Sequence, residues 1–253
     1  MSMNSVEYSS ITFAFAFGGA MLGMALRTAL PERHMNPESK DAVKVTMALV
    51  STMSALVLGS LIASAKSSYD TQKNELTDMS SKVILLDRVL AHYGPEAKEA
   101  RDELRNSVVG AIAQMWPNGG TGLSQTGPVS ASSEVLYDKV QTLAPKNDAQ
   151  RATQAQALNL VIGVGQTRWL MYEQRAVSGS VPLLLVLIFW LTALFISFGL
   201  FAPRNATVYI TLLVSAISVS FAIFLILELY NPYVGVIRLS DAPLRAALAN
   251  LGQ

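Results

Sequence analysis

Apolar residues gather in four runs along this chain: Thr12–Leu30, Val45–Ala65, Val181–Ala202 and Thr207–Leu229. They form two pairs, one on each side of a polar middle at residues 66–178. Each run is close to the ~20 residues that an α-helix needs to cross a bilayer core. The third, VPLLLVLIFWLTALFISFGLFA, has no ionisable residue over its 22 positions, a pattern of membrane spans rather than of soluble cores. The pattern predicts an all-α membrane protein with four transmembrane helices (2+2) and a helical extramembrane insert.

The insert is patterned for helices throughout. Between Val43 and Tyr93 there is no proline, and Gly59 is the one glycine. Beyond Ala65 a heptad runs through Tyr69, Leu76, Val83 and Leu90, with Met79, Leu86 and Tyr93 at its second position and Gln72 as a polar exception. Helix two is therefore expected to leave the membrane without a break, as one helix of ~50 residues, roughly 75 Å long. Its narrow seam suits packing within its own domain, with an intersubunit coiled coil as the alternative. Gly94-Pro95 ends it, and a helix over Glu96–Met115 presents Leu104, Val108, Ile112 and Met115 on one face.

Trp116-Pro117 stops that helix, and residues 117–133, rich in Gly, Ser, Thr and Pro, predict a surface loop. Helices are expected next at Glu134–Leu143 and Asn147–Ser178, the latter an extension of membrane helix three. Ser240–Leu251 reads as an amphipathic helix with Ser240 as N-cap and Leu244, Leu248 and Leu251 on its apolar face. The segments are thus 1–65, the first membrane pair; 66–178, the insert; 179–229, the second pair; and 230–253, an amphipathic tail.

Composition removes several function classes. A formal net charge of +1 gives no global reason to expect nucleic acid, and the absence of cysteine excludes disulfides and thiolate chemistry. No metalloprotease, nucleophile-elbow or phosphate-loop spacing occurs. His34 and His92 lie in different polar segments, which argues against a shared metal. No cofactor and no enzymatic activity are expected. The first ten residues lack a basic n-region, so the first helix is expected to remain rather than be cleaved.

Two hairpins place both termini and the insert on one side. Lys66, Lys73, Lys82, Arg168, Arg175, Arg238 and Arg245 lie there, against Arg27, Arg33, Lys40, Lys44 and Arg204 on the other. That small majority favours a cytoplasmic insert in a bacterial inner membrane.

Helix two carries the most suggestive pattern. Ala48, Thr52, Ala55, Gly59 and Ala63 fall along one stripe of small residues, and Gly19 and Gly23 give helix one a GxxxG that could oppose it. Such a stripe serves close helix packing, or it faces an axis as a pore lining with apolar residues as a dewetting constriction.

Leu56-Val57-Leu58-Gly59-Ser60 resembles the neck of bestrophin channels, and the resemblance implies Thr52, Leu56 and Ser60 as pore-lining candidates. Thr52 and Ser60 depart from the family's bulky neck residues. Tyr69-Asp70 is similar to a Tyr-Asp that follows the neck, and Asn231-Pro232-Tyr233 to a post-membrane turn. The acidic calcium-binding run beyond that turn is replaced by Val234-Gly235-Val236-Ile237-Arg238. Nearly the whole chain resembles the bacterial bestrophin-like integral membrane proteins, through residues 64–70 (SAKSSYD), 85–88 (LLDR), 93–97 (YGPEA) and 225–229 (LILEL).

Other candidates are weaker. Glu228, an acidic residue near the end of helix four, is a candidate for an ion path, with Arg238 or Lys66 as a partner. Arg168-Trp169, Tyr172 and Arg175 read as a membrane-surface belt or an anion-attracting mouth. Asp87-Arg88 and Glu96, Arg101, Glu103 and Arg105 read as surface pairs and interhelix contacts. The expectation is a homo-oligomeric bestrophin-like ion channel, pentameric by resemblance, in contact with lipid and inorganic ions. The alternative is a non-conducting scaffold or accessory subunit that holds a protein partner.

Overall fold

The computed structural model describes residues 4–31, 37–116, 131–176, 181–233 and 235–252. Its helices are α1 (Ser5–Ala29), α2 (Pro37–Tyr93), α3 (Lys98–Met115), α4 (Ala131–Gln141), α5 (Asp148–Ala176), α6 (Val181–Phe201), α7 (Ala206–Tyr230) and α8 (Ala242–Asn250). A 3-10 turn, Pro95–Ala97, links α2 to α3. No strand occurs among the described residues. Among the described residues four helices are long and apolar enough to cross a membrane: α1, α2, α6 from Pro182, and α7. The chain divides into two compact units, Met1–Ser68 with Gly179–Tyr230, and Tyr69–Ser178 with Asn231–Gln253.

Local chemistry moves several boundaries. α1 starts at Ser5, ahead of the apolar run, because Asn4 and Glu7 form a capping box. The Asn4 amide donates to the Glu7 carboxylate at 2.9 Å. α2 begins on Pro37, where a missing N–H costs nothing, and runs 57 residues, longer than expected. It ends at Gly94, whose φ of 124° belongs to glycine. α4 starts at Ala131, inside the expected 117–133 loop, while residues 117–130 lie outside the described residues. So do residues 177–180, where α5 was expected to run on into α6.

In the first unit the closest packing is between α1 and α6. A Cβ at Gly23 would sit 2.1 Å from the Ile196 carbonyl oxygen, and one at Gly199 would sit 2.0 Å from that of Ala20. Gly19 lies against Thr192 and Ile196. Helices in lipid gain little from burying apolar side chains, so close approach supplies the attraction. Gly19 and Gly23 therefore find their opposing surface on α6, a correction to the expected pairing with α2.

Successive contacts rise together along both helices, so α1 and α6 run parallel. At their shared end Arg27 donates to the Ala202 carbonyl, and Arg204 donates to that of Met24 at 2.7 Å. Arg27 thus meets the C-terminal, negative end of α6, and Arg204 a carbonyl about one turn before the end of α1. α7 adds Leu212 and Ala216 to a core of Ala16, Ala20, Met24 and Phe195.

The second unit is a helical bundle with a larger core. The α2 seam is buried there: Leu76, Met79, Val83, Leu86, Leu90 and Tyr93 join Leu104, Val108, Val140, Val161 and Leu244. Gln72 is buried as well. The early turns of α5 cap two other helices. The side-chain amide of Gln150 donates to the Tyr93 carbonyl at 2.9 Å. That of Gln154 lies 2.9 Å from the carbonyls of Val140 and Leu143.

Asp87 is not on the surface, as its neighbour Arg88 is; it is 2% exposed and sits among apolar side chains. Arg101 grips it at 2.7 and 2.9 Å, and the Gly252 amide donates to it at 3.2 Å. This corrects the surface-pair reading. Two acidic residues nearby also pair with distant lysines, Glu96 with Lys146 at 2.5 Å and Glu99 with Lys139 at 3.2 Å. α8 caps at Asp241 rather than Ser240, whose hydroxyl accepts the Ala242 amide at 3.2 Å.

Two outcomes follow from these contacts. Gly23→Ala should lower the thermal midpoint in detergent by an amount matching about 1–3 kcal/mol of overpacking. Gly18→Ala, where a Cβ meets nothing, should leave the midpoint within error, both read by fluorescence-detected size exclusion. For Asp87, burial raises the pKa, but the Arg101 and Gly252 hydrogen bonds and the charges of Arg101 and Arg88 outweigh it and hold it below the ordinary aspartate value. A depressed folded pKa gives stability that is complete above the unfolded pKa of about 3.9 and is lost as pH falls through the folded one. Asp87→Asn should cost stability at pH 7, near the lower end of roughly 3–5 kcal/mol. It should also flatten the loss of stability below pH 4, measured by thermal melts across pH.

Candidate functional site

The face that carries the sequence candidates is the membrane part of α2. Within it Ser54, Leu61 and Ala65 are buried. At roughly 100° per residue these three fall within about 20° of one line along the helix. Thr52, Leu56 and Ser60 fall at least about 120° away from that line. All three are exposed, Leu56 at 69%. The same outer face carries Val45 and Leu49, 73% and 63% exposed.

This face is narrow in chemistry. The Thr52 hydroxyl donates to the Ala48 carbonyl at 3.0 Å, so it presents a methyl group and oxygen lone pairs outward. Ala48, Ala55, Gly59 and Ala63 lie exposed beside it. A Cβ added at Gly59 would meet nothing within 4 Å, so Gly59 does not serve close packing inside this chain. An exposed row of Val, Leu, Thr, Ala and Gly with no ionisable group can meet lipid, another helix, or weakly held water.

Glu228 lies near the C-terminal end of α7, as expected, and is buried, 3% exposed. Near it in sequence, Tyr230 bonds the Ser64 hydroxyl at 3.1 Å, tying the end of α7 to α2.

In the second unit Arg168 donates to the Gln114 side chain at 2.8 Å. Trp169 is exposed, and the side chains of Tyr172 and Arg175 lie outside the described residues. The turn at Asn231, Pro232 and Tyr233 is docked on α3. The Leu239 amide donates to the Pro232 carbonyl at 2.7 Å, and the Trp116 indole donates to the Leu239 carbonyl at 2.9 Å. Tyr233 meets the Trp116 ring edge-on at 5.8 Å. The turn and Arg168 therefore belong to the second unit, and the α2 face to the first. Among the described residues no group of three or more His, Asp or Glu side chains is arranged to hold a metal ion; His34 lies outside them.

The family described as Bestrophin-like domain matches residues 14–244. The chain belongs to the bestrophin-like family. Its fold is similar to the crystal structure of a bacterial bestrophin homolog from Klebsiella pneumoniae that carries a single tyrosine-to-alanine mutation. The TM-score is 0.65 at 13% identity, over 93% of this chain and 97% of that one. No curated protein matches the sequence. The bestrophin-like match takes in parts of all four apolar helices, so this is a membrane protein with an all-helical, bestrophin-like fold.

Sequence reasoning missed the reciprocal arginines and Gly199. A lone glycine inside the apolar α6 run was the available signal for the second. Arg27 and Arg204 offered none beyond their place next to apolar runs.

Proposed function

We propose that this bestrophin-like protein is a channel for inorganic ions rather than an enzyme, assembled as a homo-oligomer with α2 around a central axis. The supporting observation is the two-faced membrane part of α2. Ser54, Leu61 and Ala65 are buried on one side while Thr52, Leu56 and Ser60 are exposed on the other. One copy of this face encloses no path, and several copies around an axis do. Leu56 would then form an apolar ring that gates by dewetting, with Thr52 and Ser60 a turn to either side as wetter rings. Gly59 and the neighbouring alanines let α2 helices approach closely across that axis.

A pentamer is the assembly that the bestrophin resemblance suggests. In this reading the four spans form two hairpins in a bacterial inner membrane, with residues 66–178 and both termini on the cytoplasmic side. Glu228, buried near the end of α7, supports the path from behind rather than lining it.

Purified protein in liposomes should pass chloride, sodium or potassium. Leu56→Ala should raise the flux and Ser60→Phe should lower it, each by about tenfold or more, equivalent to ~1.4 kcal/mol. No flux from wild type or from Leu56→Ala would favour the partner-binding scaffold. The chain has no native cysteine, so single cysteines report cleanly. Thr52→Cys and Ser60→Cys should react with a membrane-impermeant thiol reagent, and Ser54→Cys and Ala65→Cys should not. Equal silence at all four would place the outer face against lipid or another helix.

A further inference from the structure

Between α1 and α7, both in the first unit, lies an open groove of about 420 Å³. α1 contributes Ser9, Ser10 and Phe13 to its lining, and α7 contributes Ser220, Phe221 and Phe224. Ser220 is buried and Phe221 is 63% exposed, so the groove runs from an interior floor to an open rim. Two ring pairs stiffen its sides, Phe13 stacked on Phe17 at 5.7 Å and Phe221 against Phe224 at 5.9 Å. Among the described residues, none that lines it is ionisable. The Ser9 and Ser10 hydroxyls donate to the Val6 carbonyl at 3.0 and 2.7 Å, and that of Ser220 donates to the Ala216 carbonyl at 2.7 Å. Each side-chain hydroxyl proton of the lining is therefore spent within its own helix.

We propose that this groove holds one acyl chain of a bilayer phospholipid. The surroundings name the occupant. α1 and α7 are both apolar enough to cross a membrane, so an opening between them faces acyl chains rather than water. The lining agrees. Water or a polar solute would find no side-chain donor there and would leave its own hydrogen bonds unmet, whereas a methylene chain needs none. The lining extends from Val6 to Phe13 on α1 and from Ile217 to Phe224 on α7. Seven residues rise roughly 10 Å, which lies within one leaflet of a ~30 Å hydrocarbon core. A concave site touches the chain on two sides, and the added dispersion contacts hold it while lipids on the convex surface exchange. The site lies wholly within the first unit and stands whether or not the protein conducts ions.

The test is native mass spectrometry of the full chain, purified in detergent and washed until loosely held lipid is gone. One phospholipid per chain should remain. Ser10→Phe and Ser220→Phe, which set a ring inside the groove, should each cut the retained fraction at least tenfold while circular dichroism stays unchanged. Leu185→Phe, at a position of α6 that is 61% exposed and outside the lining, should retain lipid like wild type. If Ser220→Phe does not fold, Ser10→Phe, at an exposed position, carries the comparison. Folded wild type that retains no phospholipid overturns the proposal. So does undiminished retention by Ser10→Phe, an equal loss in Leu185→Phe, or detergent or free fatty acid held in place of the phospholipid.

Discussion

Two helix backbones touching where side chains are missing is the constraint from which the first unit follows. In a bilayer, apolar side chains gain almost nothing by leaving lipid for protein, so helices associate through close approach and polar contacts. Gly23 against the Ile196 carbonyl and Gly199 against that of Ala20 provide the approach. Arg27 and Arg204 provide the polar contacts, Arg27 to the Ala202 carbonyl just past α6 and Arg204 to the Met24 carbonyl of α1. With α1 fixed on α6 and α7 packed against α1, the membrane part of α2 buries one line of side chains and exposes the opposite face.

The second unit is held by different physics. Its helices carry polar faces, and ordinary burial of leucine, valine and methionine supplies the cohesion. What sets its geometry is the treatment of helix ends. Gln150 and Gln154 close the ends of α2 and α4, and Asp87 with Arg101 closes on the backbone at Gly252. Buried charge is tolerable at Asp87 because both carboxylate oxygens have directional partners. Such a device works only in one register.

The architecture was legible because it is written in runs and periods. Hydropathy marked the four apolar helices, and the α2 heptad named the seam that is buried in the second unit. Proline and glycine at Gly94-Pro95 marked a real stop. Helix starts were less legible, since Asn4 and Glu7 act through one pair of hydrogen bonds that leaves no periodic trace. Pairings between distant residues were illegible. Nothing in the spacing of Asp87 and Arg101 distinguishes a buried bridge from two surface charges, and α1's glycines do not name their partner. For the candidate site, the pattern identified Thr52, Leu56 and Ser60 as one group. Their outward direction shows only once Ser54, Leu61 and Ala65 are seen to be buried on the opposite side of the helix.

The α1–α6 contact has a consequence for how the protein is made. Arg27 and its carbonyl partner at Ala202 are separated by 175 residues. At about 5–20 residues per second, the ribosome needs roughly ten to thirty-five seconds to supply α6 after α1 has emerged. Through that interval α1 resides in the bilayer with its glycine face uncovered and its C-terminal arginine without the carbonyl it will bind. α1, made before α6, is therefore kept waiting for its final neighbour, and the membrane, not the fold, must house it until then.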